Sequence, residues 1–161
     1  MKVAVLTVSD GVTAGARVDE GGPAICALLA KAGHEVVTST VVPDEVVAIT
    51  RFLIGTTDSG QAELILTTGG TGLGPRDVTP EATRAVLDRE APGIAEALRL
   101  ESLQHTKMAA LGRGIAGVRA RTLIVNLPGN PRAIGECLAP LLKVIEHGVE
   151  ILRGTNLGHP R

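Results

Sequence analysis

The chain has 161 residues, of which 44% are hydrophobic and 20% charged, and its formal net charge at pH 7 is -1. This length suits one compact core, and the composition is far from that of a disordered chain. The balanced charge, without a run of Lys or Arg, excludes the basic surface that a nucleic acid or an anionic membrane would require. A single Phe52, with no Trp or Tyr, excludes binding by base stacking.

The chain shows no targeting or membrane-spanning pattern. Its first apolar run is too short for a signal peptide, and nowhere do about 18 apolar residues follow one another. Cys26 and Cys137 lie apart in apolar segments, so we expect two small buried hydrophobic side chains. These features predict a cytoplasmic protein without a membrane or nucleic-acid partner.

Strands and helices alternate along the first half of the chain. Residues 23–32 have helical spacing between Pro23 and Gly33, and residues 44–54 repeat this pattern after Asp44, which could cap the helix. Short β-branched runs predict strands at residues 3–8, 35–42, 62–68 and 121–127. The pattern predicts an α/β fold: a three-layer α/β/α sandwich with a mostly parallel central sheet.

The second half is predicted to be mainly helical. Thr79-Pro80-Glu81 is typical of a helix start with a capping hydroxyl, and another helix begins near Pro92. Glycines interrupt residues 104–120, which leaves room for a short helix and one short antiparallel edge strand. Pro140 lies within the last helix and predicts a kink or two abutting helices, because an internal proline costs about 3 kcal/mol. We predict one domain over residues 1–153 and a tail at 154–161.

Polar or glycine-rich segments follow each predicted strand. In a parallel sheet these exits meet at one edge, where ligands bind. The third exit, 67–77, reads Thr-Thr-Gly-Gly-Thr-Gly-Leu-Gly-Pro-Arg-Asp. Its four glycines let backbone N–H groups approach an anion, although a tight strand-to-helix connection would explain them as well. The spacing matches neither the GxxxxGK[ST] phosphate loop nor the GxGxxG dinucleotide loop.

Three acids lie at three of these exits: Asp10, Asp44 and Asp77. Each could cap nearby backbone donors, which is the commoner role of an isolated Asp. Together, beside an anion-binding loop, they are also what a magnesium-assisted phosphoryl or nucleotidyl transfer would use. Arg76 and Arg132 could pair with phosphate oxygens or remain in solvent.

Three motifs in order carry a family resemblance. They are Thr7-Val8-Ser9-Asp10, residues 67–77 with the following Val78-Thr79-Pro80-Glu81-Ala82, and Asn126-Leu127-Pro128-Gly129-Asn130-Pro131. Together they resemble the molybdopterin-binding domain family, which includes molybdopterin adenylyltransferases and molybdenum cofactor biosynthesis protein B. The resemblance spans nearly the whole chain.

The resemblance implies a cytoplasmic homotrimer in molybdenum cofactor biosynthesis. Its substrates would be ATP and molybdopterin, with Mg²⁺ as cofactor. The reaction would transfer AMP to the terminal phosphate of molybdopterin and release pyrophosphate, and a contact with the molybdenum-insertion enzyme of the pathway would be expected. The alternative is a non-catalytic member that binds or scaffolds the pterin. A generic nucleotide-binding regulatory domain would explain the glycine loop alone.

The resemblance also assigns roles to residues of this chain. Asp44 and Asp77 would be the essential acids, holding the metal and positioning substrate. The remaining substrate-binding residues would be Ser9, Asp10, Thr68, Gly69, Gly70, Thr71, Gly72, Gly74, Arg76, Pro128, Gly129, Asn130 and Pro131. Two departures from the family pattern remove a hydroxyl: Asp19-Glu20-Gly21-Gly22-Pro23, and Gly112 within Leu111-Gly112-Arg113.

Overall fold

A computed structural model describes residues 1–154. The helices are α1 (Asp10–Thr13), α2 (Gly21–Lys31), α3 (Val46–Asp58), α4 (Thr79–Arg84), α5 (Pro92–His105) and α6 (Pro131–Arg153), with a 3-10 turn at Lys107–Leu111. The strands are β1 (Lys2–Val8), β2 (Glu35–Val42), β3 (Leu64–Thr68), β4 (Arg89–Glu90), β5 (Ala116–Arg119) and β6 (Thr122–Leu127).

The strands form one sheet in the order β2-β1-β3-β6-β5-β4. The first four strands of this order are parallel, and β5 and β4 extend the sheet antiparallel beyond β6. The mostly parallel sheet is therefore confirmed. The antiparallel edge is confirmed as well: β5 returns antiparallel to β6 through a tight turn at Ala120, and the two-residue β4 adds a further strand antiparallel to β5.

Helices cover both faces of the sheet, which confirms the three-layer sandwich. On one face, α2, α5 and α6 pack on the side chains of Val5, Leu66 and Val125. On the other face, α3 and α4 pack on neighbouring residues of the same strands, such as Leu6 and Ile65. Successive strand residues alternate between faces, so β3 and β6 are buried along their whole length and are mainly apolar, with polar residues such as Thr67 and Asn126 near their carboxyl ends.

Several local predictions change in the structure. The last helix runs unbroken from Pro131 to Arg153 through Pro140, so two abutting helices are not formed. Pro140 lies on the exposed face, where its ring meets solvent rather than the core. Thr79 begins α4 but does not cap it, because its hydroxyl donates instead to the Gly69 carbonyl.

The C-terminal end of the described chain is well defined. Gly154 ends α6 in a left-handed conformation, with φ of 71°. The rest of the predicted tail, residues 155–161, lies outside the described residues. Within residues 1–154, no helix has the length and apolar character needed to cross a bilayer.

Candidate functional site at the carboxyl edge of the sheet

The glycine-rich loop, defined here as residues 69–77, connects β3 to α4 at the carboxyl edge of the parallel strands. Gly70 has a φ of 61°, which favours glycine strongly. A Cβ atom there would collide with Thr79 Oγ1 and lie 2.9 Å from Asp44 Oδ1. The loop therefore approaches Asp44 closely because residue 70 has no side chain.

The carbonyl groups and the N–H groups of the loop differ in whether they are hydrogen-bonded. The carbonyls of Gly69 and Gly70 accept hydrogen bonds from the Thr79 hydroxyl and the Thr79 N–H, at 2.9 and 3.0 Å. The carbonyls of Thr71 and Gly72 accept from Arg113. Within residues 1–154, by contrast, the N–H groups of Gly70, Thr71 and Gly72 donate no hydrogen bond. Free N–H groups beside bonded carbonyls favour an anion at this loop.

Asp10 and Asp44 hold each other across the ends of β1 and β2. The Asp10 N–H donates to Asp44 Oδ2 at 2.7 Å, and the Asp44 N–H donates to Asp10 Oδ1 at 3.0 Å. Asp44 therefore does not cap α3, whose N-cap residue is Glu45 without a side-chain bond. The Arg76 guanidinium pairs with both Asp10 oxygens, Nε to Oδ2 at 3.0 Å and Nη2 to Oδ1 at 3.1 Å.

The pKa values of the two aspartates are shifted in opposite directions. The hydrogen bond from Arg76, followed by the one from the Asp44 backbone, lowers the pKa of the exposed Asp10 carboxyl. Burial raises the pKa of Asp44, and the negative charges of Asp10 and Asp77 raise it further. Asp44 lies beside Gly70, and Asp77 lies beside Gly72 and Gly74, so both carboxylates contact the glycine-rich loop.

Asp77 lies at the end of the glycine-rich loop, which wraps around its carboxylate. Asp77 Oδ2 accepts from the Gly74 N–H at 2.7 Å, and Cβ atoms at Gly72 or Gly74 would each lie 2.8 Å from this oxygen. The residue before α4 is Val78, which provides no side-chain cap, so Asp77 does not cap that helix either. The half-buried Asp77 carboxylate is thus held by the loop itself.

Most of the other predicted substrate-binding residues form hydrogen bonds or contacts that stabilise the local backbone. Ser9 caps α1, its Oγ accepting from the Val12 N–H at 3.2 Å. Asn130 caps α6, its Oδ1 accepting from the Arg132 and Ala133 N–H groups, and Pro131 is the first residue of that helix. The Thr68 hydroxyl donates to the Pro128 carbonyl at 2.7 Å. Gly129 lies opposite Gly69, so these contacts set the distance between the two strand exits.

A cavity of about 610 Å³ opens beside the glycine-rich loop. Its lining includes Gly69, Gly70, Thr71, Gly72 and Asp77 from the loop, and residues 126–130 from the end of β6. Ser9, Asp10, Asp44 and Arg76 do not line it. Thr68, Gly74 and Pro131 do not line it either, so the cavity brings together only part of the predicted site.

The far wall of the cavity is formed by residues that no sequence motif assigned to the site. They are Ala95, Leu98, Arg99 and Ser102 of α5, Met108 and Leu111 of the 3-10 turn, and Ala133, Glu136 and Cys137 of α6. The helical spacing of these residues marks α5 and α6 as packed helices, but it does not show that both helices line a cavity. The one sequence signal for this wall was the set of glycines that interrupt any regular pattern at residues 104–120.

The carboxylates suit a magnesium ion only in part. Among the described residues, no three His, Cys, Asp or Glu side chains come together as a metal site. Mg²⁺ is commonly bound by one or two carboxylates together with substrate phosphates, and Asp44 and Asp77 offer such a set beside the glycine-rich loop. The donor set therefore fits a metal that arrives with a phosphate ligand.

Comparisons with known proteins agree with the motifs. Molybdenum cofactor synthesis protein cinnamon of Drosophila melanogaster is 40% identical over 149 residues, which are 92% of this chain but 25% of that protein. Molybdopterin adenylyltransferase of Helicobacter pylori strain J99 is 38% identical over 154 residues, 94% of this chain and 88% of that protein. The chain thus spans only a quarter of the first relative and most of the second.

Solved structures show the same architecture. The crystal structure of the molybdopterin biosynthesis enzyme MoaB from Thermus thermophilus superposes with a TM-score of 0.89 at 50% identity, covering 95% of this chain and 96% of that one. A family model described as a probable molybdopterin binding domain matches residues 4–147. With this match over most of its length, the chain belongs to the molybdopterin-binding domain family.

Proposed function

We propose that the protein is a molybdopterin adenylyltransferase of molybdenum cofactor biosynthesis. The observation that carries this proposal is the glycine-rich loop, whose free N–H groups lie between the carboxylates of Asp44 and Asp77 beside the 610 Å³ cavity. The names of relatives such as the Helicobacter pylori adenylyltransferase support the same reaction. The adenylated pterin would then pass to the enzyme that inserts molybdenum.

In this reaction a terminal phosphate oxygen of molybdopterin attacks the α-phosphorus of ATP. The bond from that phosphorus to the bridging oxygen breaks, and pyrophosphate leaves. The attacking phosphate is already ionised at neutral pH, so no residue need act as a strong base. The main barrier is to bring two polyanions into line, and the N–H groups of Gly70, Thr71 and Gly72 would reduce their repulsion.

Asp44 and Asp77 are proposed to position the metal and substrate rather than to move a proton. A bound Mg²⁺ would screen the phosphate charges and be held by these two carboxylates. The Asp10 backbone N–H and the Gly74 N–H orient their oxygens. Apolar walls such as Leu98 and Met108 would receive the ring of one substrate and exclude water from it.

The direct test incubates the purified protein with ATP, Mg²⁺ and molybdopterin and follows adenylated pterin and pyrophosphate. Turnover is the expected result. Tight pterin binding without product would instead support the non-catalytic alternative. Binding of neither substrate would contradict both.

Substitutions of the two acids sharpen this test. Asp44→Asn and Asp77→Asn should each lower turnover by about a hundredfold or more, because charge stabilisation at a transferring phosphate is lost. Circular dichroism should show an unchanged fold. Asp58→Asn, which alters an exposed carboxylate paired with Arg119, is the matched control and should retain wild-type turnover. Unaltered turnover in the Asp44 and Asp77 variants would contradict their assigned role.

A further inference from the structure

Arg113 has no role in the function proposed above, yet it makes a dense set of contacts with the glycine-rich loop. Its Nε donates to the Gly72 carbonyl and its Nη2 to the Asp77 carbonyl, both at 2.6 Å. Its backbone N–H donates to the Thr71 carbonyl at 2.9 Å. Nη1 pairs with Glu81 Oε1 in the first turns of α4. One residue thus joins the loop's middle, its end and the following helix.

The segment that carries Arg113 is itself braced by a second arginine. Arg99 of α5 donates from Nε to the Gly112 carbonyl at 3.1 Å and from Nη2 to the Gly114 carbonyl at 3.2 Å. These two carbonyls flank Arg113 on either side. The position of the Arg113 backbone is therefore set by α5, and the Arg113 side chain transmits that position to the loop.

The contacts have an electrostatic consequence for an anion at the loop. Carbonyl oxygens repel phosphate, whereas N–H groups attract it. Arg113 occupies the carbonyls of Thr71, Gly72 and Asp77, while the N–H groups of Gly70, Thr71 and Gly72 make no hydrogen bond within the described chain. Over residues 1–154, no other side chain donates to the Gly72 and Asp77 carbonyls, so loss of Arg113 would free them to turn toward the ligand.

We propose that Arg113 is a positioning residue that turns the N–H groups of the glycine-rich loop toward a phosphate ligand and holds Asp77 in place. The proposal rests on the proposed function only for the identity of that phosphate. It assigns Arg113 no contact with the reacting atoms.

The geometry requires an arginine rather than a positive charge alone. The planar guanidinium donates in several fixed directions at once, to Gly72, Asp77 and Glu81. A lysine ammonium has the same charge but no planar fork. Arg113→Lys should therefore release the loop while preserving the charge, and it is the informative substitution.

Arg119 provides a matched control. Its guanidinium also joins distant segments, donating to Thr57 Oγ1 at 3.0 Å, the Val86 carbonyl at 3.2 Å and Asp58 Oδ1 at 3.1 Å. Its side chain is 25% exposed, against 33% for Arg113. Arg119→Lys thus removes an equivalent clamp away from the glycine-rich loop and reports the purely structural cost.

The test measures binding of inorganic pyrophosphate by titration calorimetry to the wild-type protein and both variants, alongside their melting temperatures. Arg113→Lys should weaken pyrophosphate binding by about tenfold or more, because a misplaced binding group loses most of its contribution. Arg119→Lys should bind as the wild type does while melting at a similarly reduced temperature. In the transfer assay, Arg113→Lys should also lower kcat and raise KM for ATP, and Arg119→Lys should change neither.

Two results would overturn the proposal. One is equal pyrophosphate binding by wild type and Arg113→Lys with only a lower melting temperature, which would make Arg113 a structural clamp. The other is no pyrophosphate binding by the wild type. Absence of adenylyl transfer alone would contradict the proposed function and leave the pyrophosphate comparison intact.

Discussion

Asp10 and Asp44 show how one backbone arrangement gives the same chemical group two different environments. The backbone N–H of each donates to the carboxylate of the other, but only Asp10 also accepts hydrogen bonds from a guanidinium, that of Arg76. Arg76 lowers the pKa of Asp10, whereas burial and neighbouring negative charge raise that of Asp44. The Asp44 carboxylate, whose ionised form is disfavoured, lies beside Gly70. A cation or a hydrogen-bond donor of a ligand bound there would stabilise its negative charge.

The opposite shifts predict opposite pH dependences of stability. A carboxyl whose pKa is raised on folding binds more protons in the folded state, so its contribution to the free energy of unfolding falls as pH rises above the ordinary carboxyl pKa of 3.8. Asparagine does not titrate, so the Asp44→Asn variant should become more stable relative to wild type as pH rises. Asp10→Asn should lose stability relative to wild type as pH rises toward the ordinary carboxyl pKa of 3.8, because the lowered pKa of Asp10 makes a contribution that is fully present above this value and is lost as pH falls below it.

Urea denaturation of the wild type and both variants at pH 3, 5 and 7 measures these differences. The prediction concerns the sign of the slope of the stability difference between variant and wild type against pH. Asn can still accept the backbone hydrogen bond that either Asp accepts, so the slope reports the lost charge. Equal slopes for the two variants would contradict the proposed electrostatic difference.

Gly70 makes a second prediction at the residue scale. Gly70→Ala should lower the free energy of unfolding by about 1–3 kcal/mol, because it strains a positive φ and forces a methyl group toward Thr79 and Asp44. Gly55→Ala, in the interior of α3 with open space around the added carbon, should raise it by about 0.5–1 kcal/mol. Thermal or urea denaturation compares the two, and a stabilising Gly70→Ala would show that the loop tolerates a side chain.

At the scale of elements, α6 illustrates how tertiary packing overrides a local signal. Pro140 cannot donate the helix hydrogen bond to the Glu136 carbonyl, and the sequence pattern predicted an interruption there. The helix nevertheless continues, because Cys137 and Leu138 before the proline and Leu142 and Ile145 after it bury their side chains in one core. The buried apolar face therefore keeps the helix continuous on both sides of Pro140, whose ring faces solvent.

Pro140→Ala should therefore stabilise the protein by about 1 kcal/mol, the gain of a helix hydrogen bond being partly offset by a more flexible unfolded chain. Ala139→Gly, at the neighbouring exposed position, should lower the free energy of unfolding by about 1 kcal/mol and shows that this region responds to helix propensity. Urea denaturation measures both. A destabilised Pro140→Ala variant would indicate that the proline ring contributes packing.

At the scale of the whole molecule, the later helices leave aliphatic side chains in solvent. Leu100 on α5 is 64% exposed and Val144 on α6 is 55% exposed. Such side chains suit association with further copies of the chain, and the family resemblance implies a homotrimer.

Light scattering should therefore give a mass of about three times the 16.5 kDa of one chain. Leu100→Glu should reduce this mass, because a charge would be buried at the interface. Val47→Glu, which alters an exposed residue of α3 on the opposite face of the sheet, should leave the mass unchanged. A wild-type mass of a single chain would contradict the trimer.

Much of this architecture could be predicted because its signals are local. The β-branched runs predicted strands within two residues of their observed bounds, and the start of α6 at Pro131 was readable from its proline. The parallel order then brought Asp10, Asp44 and the glycine-rich loop to one edge, as strand handedness requires. Asp44 and Asp77 each accept a backbone N–H, as the capping alternative expected, but these donors belong to Asp10 and Gly74, so Asp44 does not cap α3 as its position had suggested.

By itself, the sequence determined the layers, the parallel strands, the edge at which ligands would bind and the family to which the chain belongs, because periodicity and glycine motifs act over a few residues. Only the tertiary structure decided that Asp10 pairs with Arg76, that α5 and the 3-10 turn wall the cavity, and that Arg113 holds the glycine-rich loop. These contacts join residues 41 to 66 positions apart, between Arg113 and Gly72 and between Arg76 and Asp10, and depend on side-chain directions set by the packed sheet.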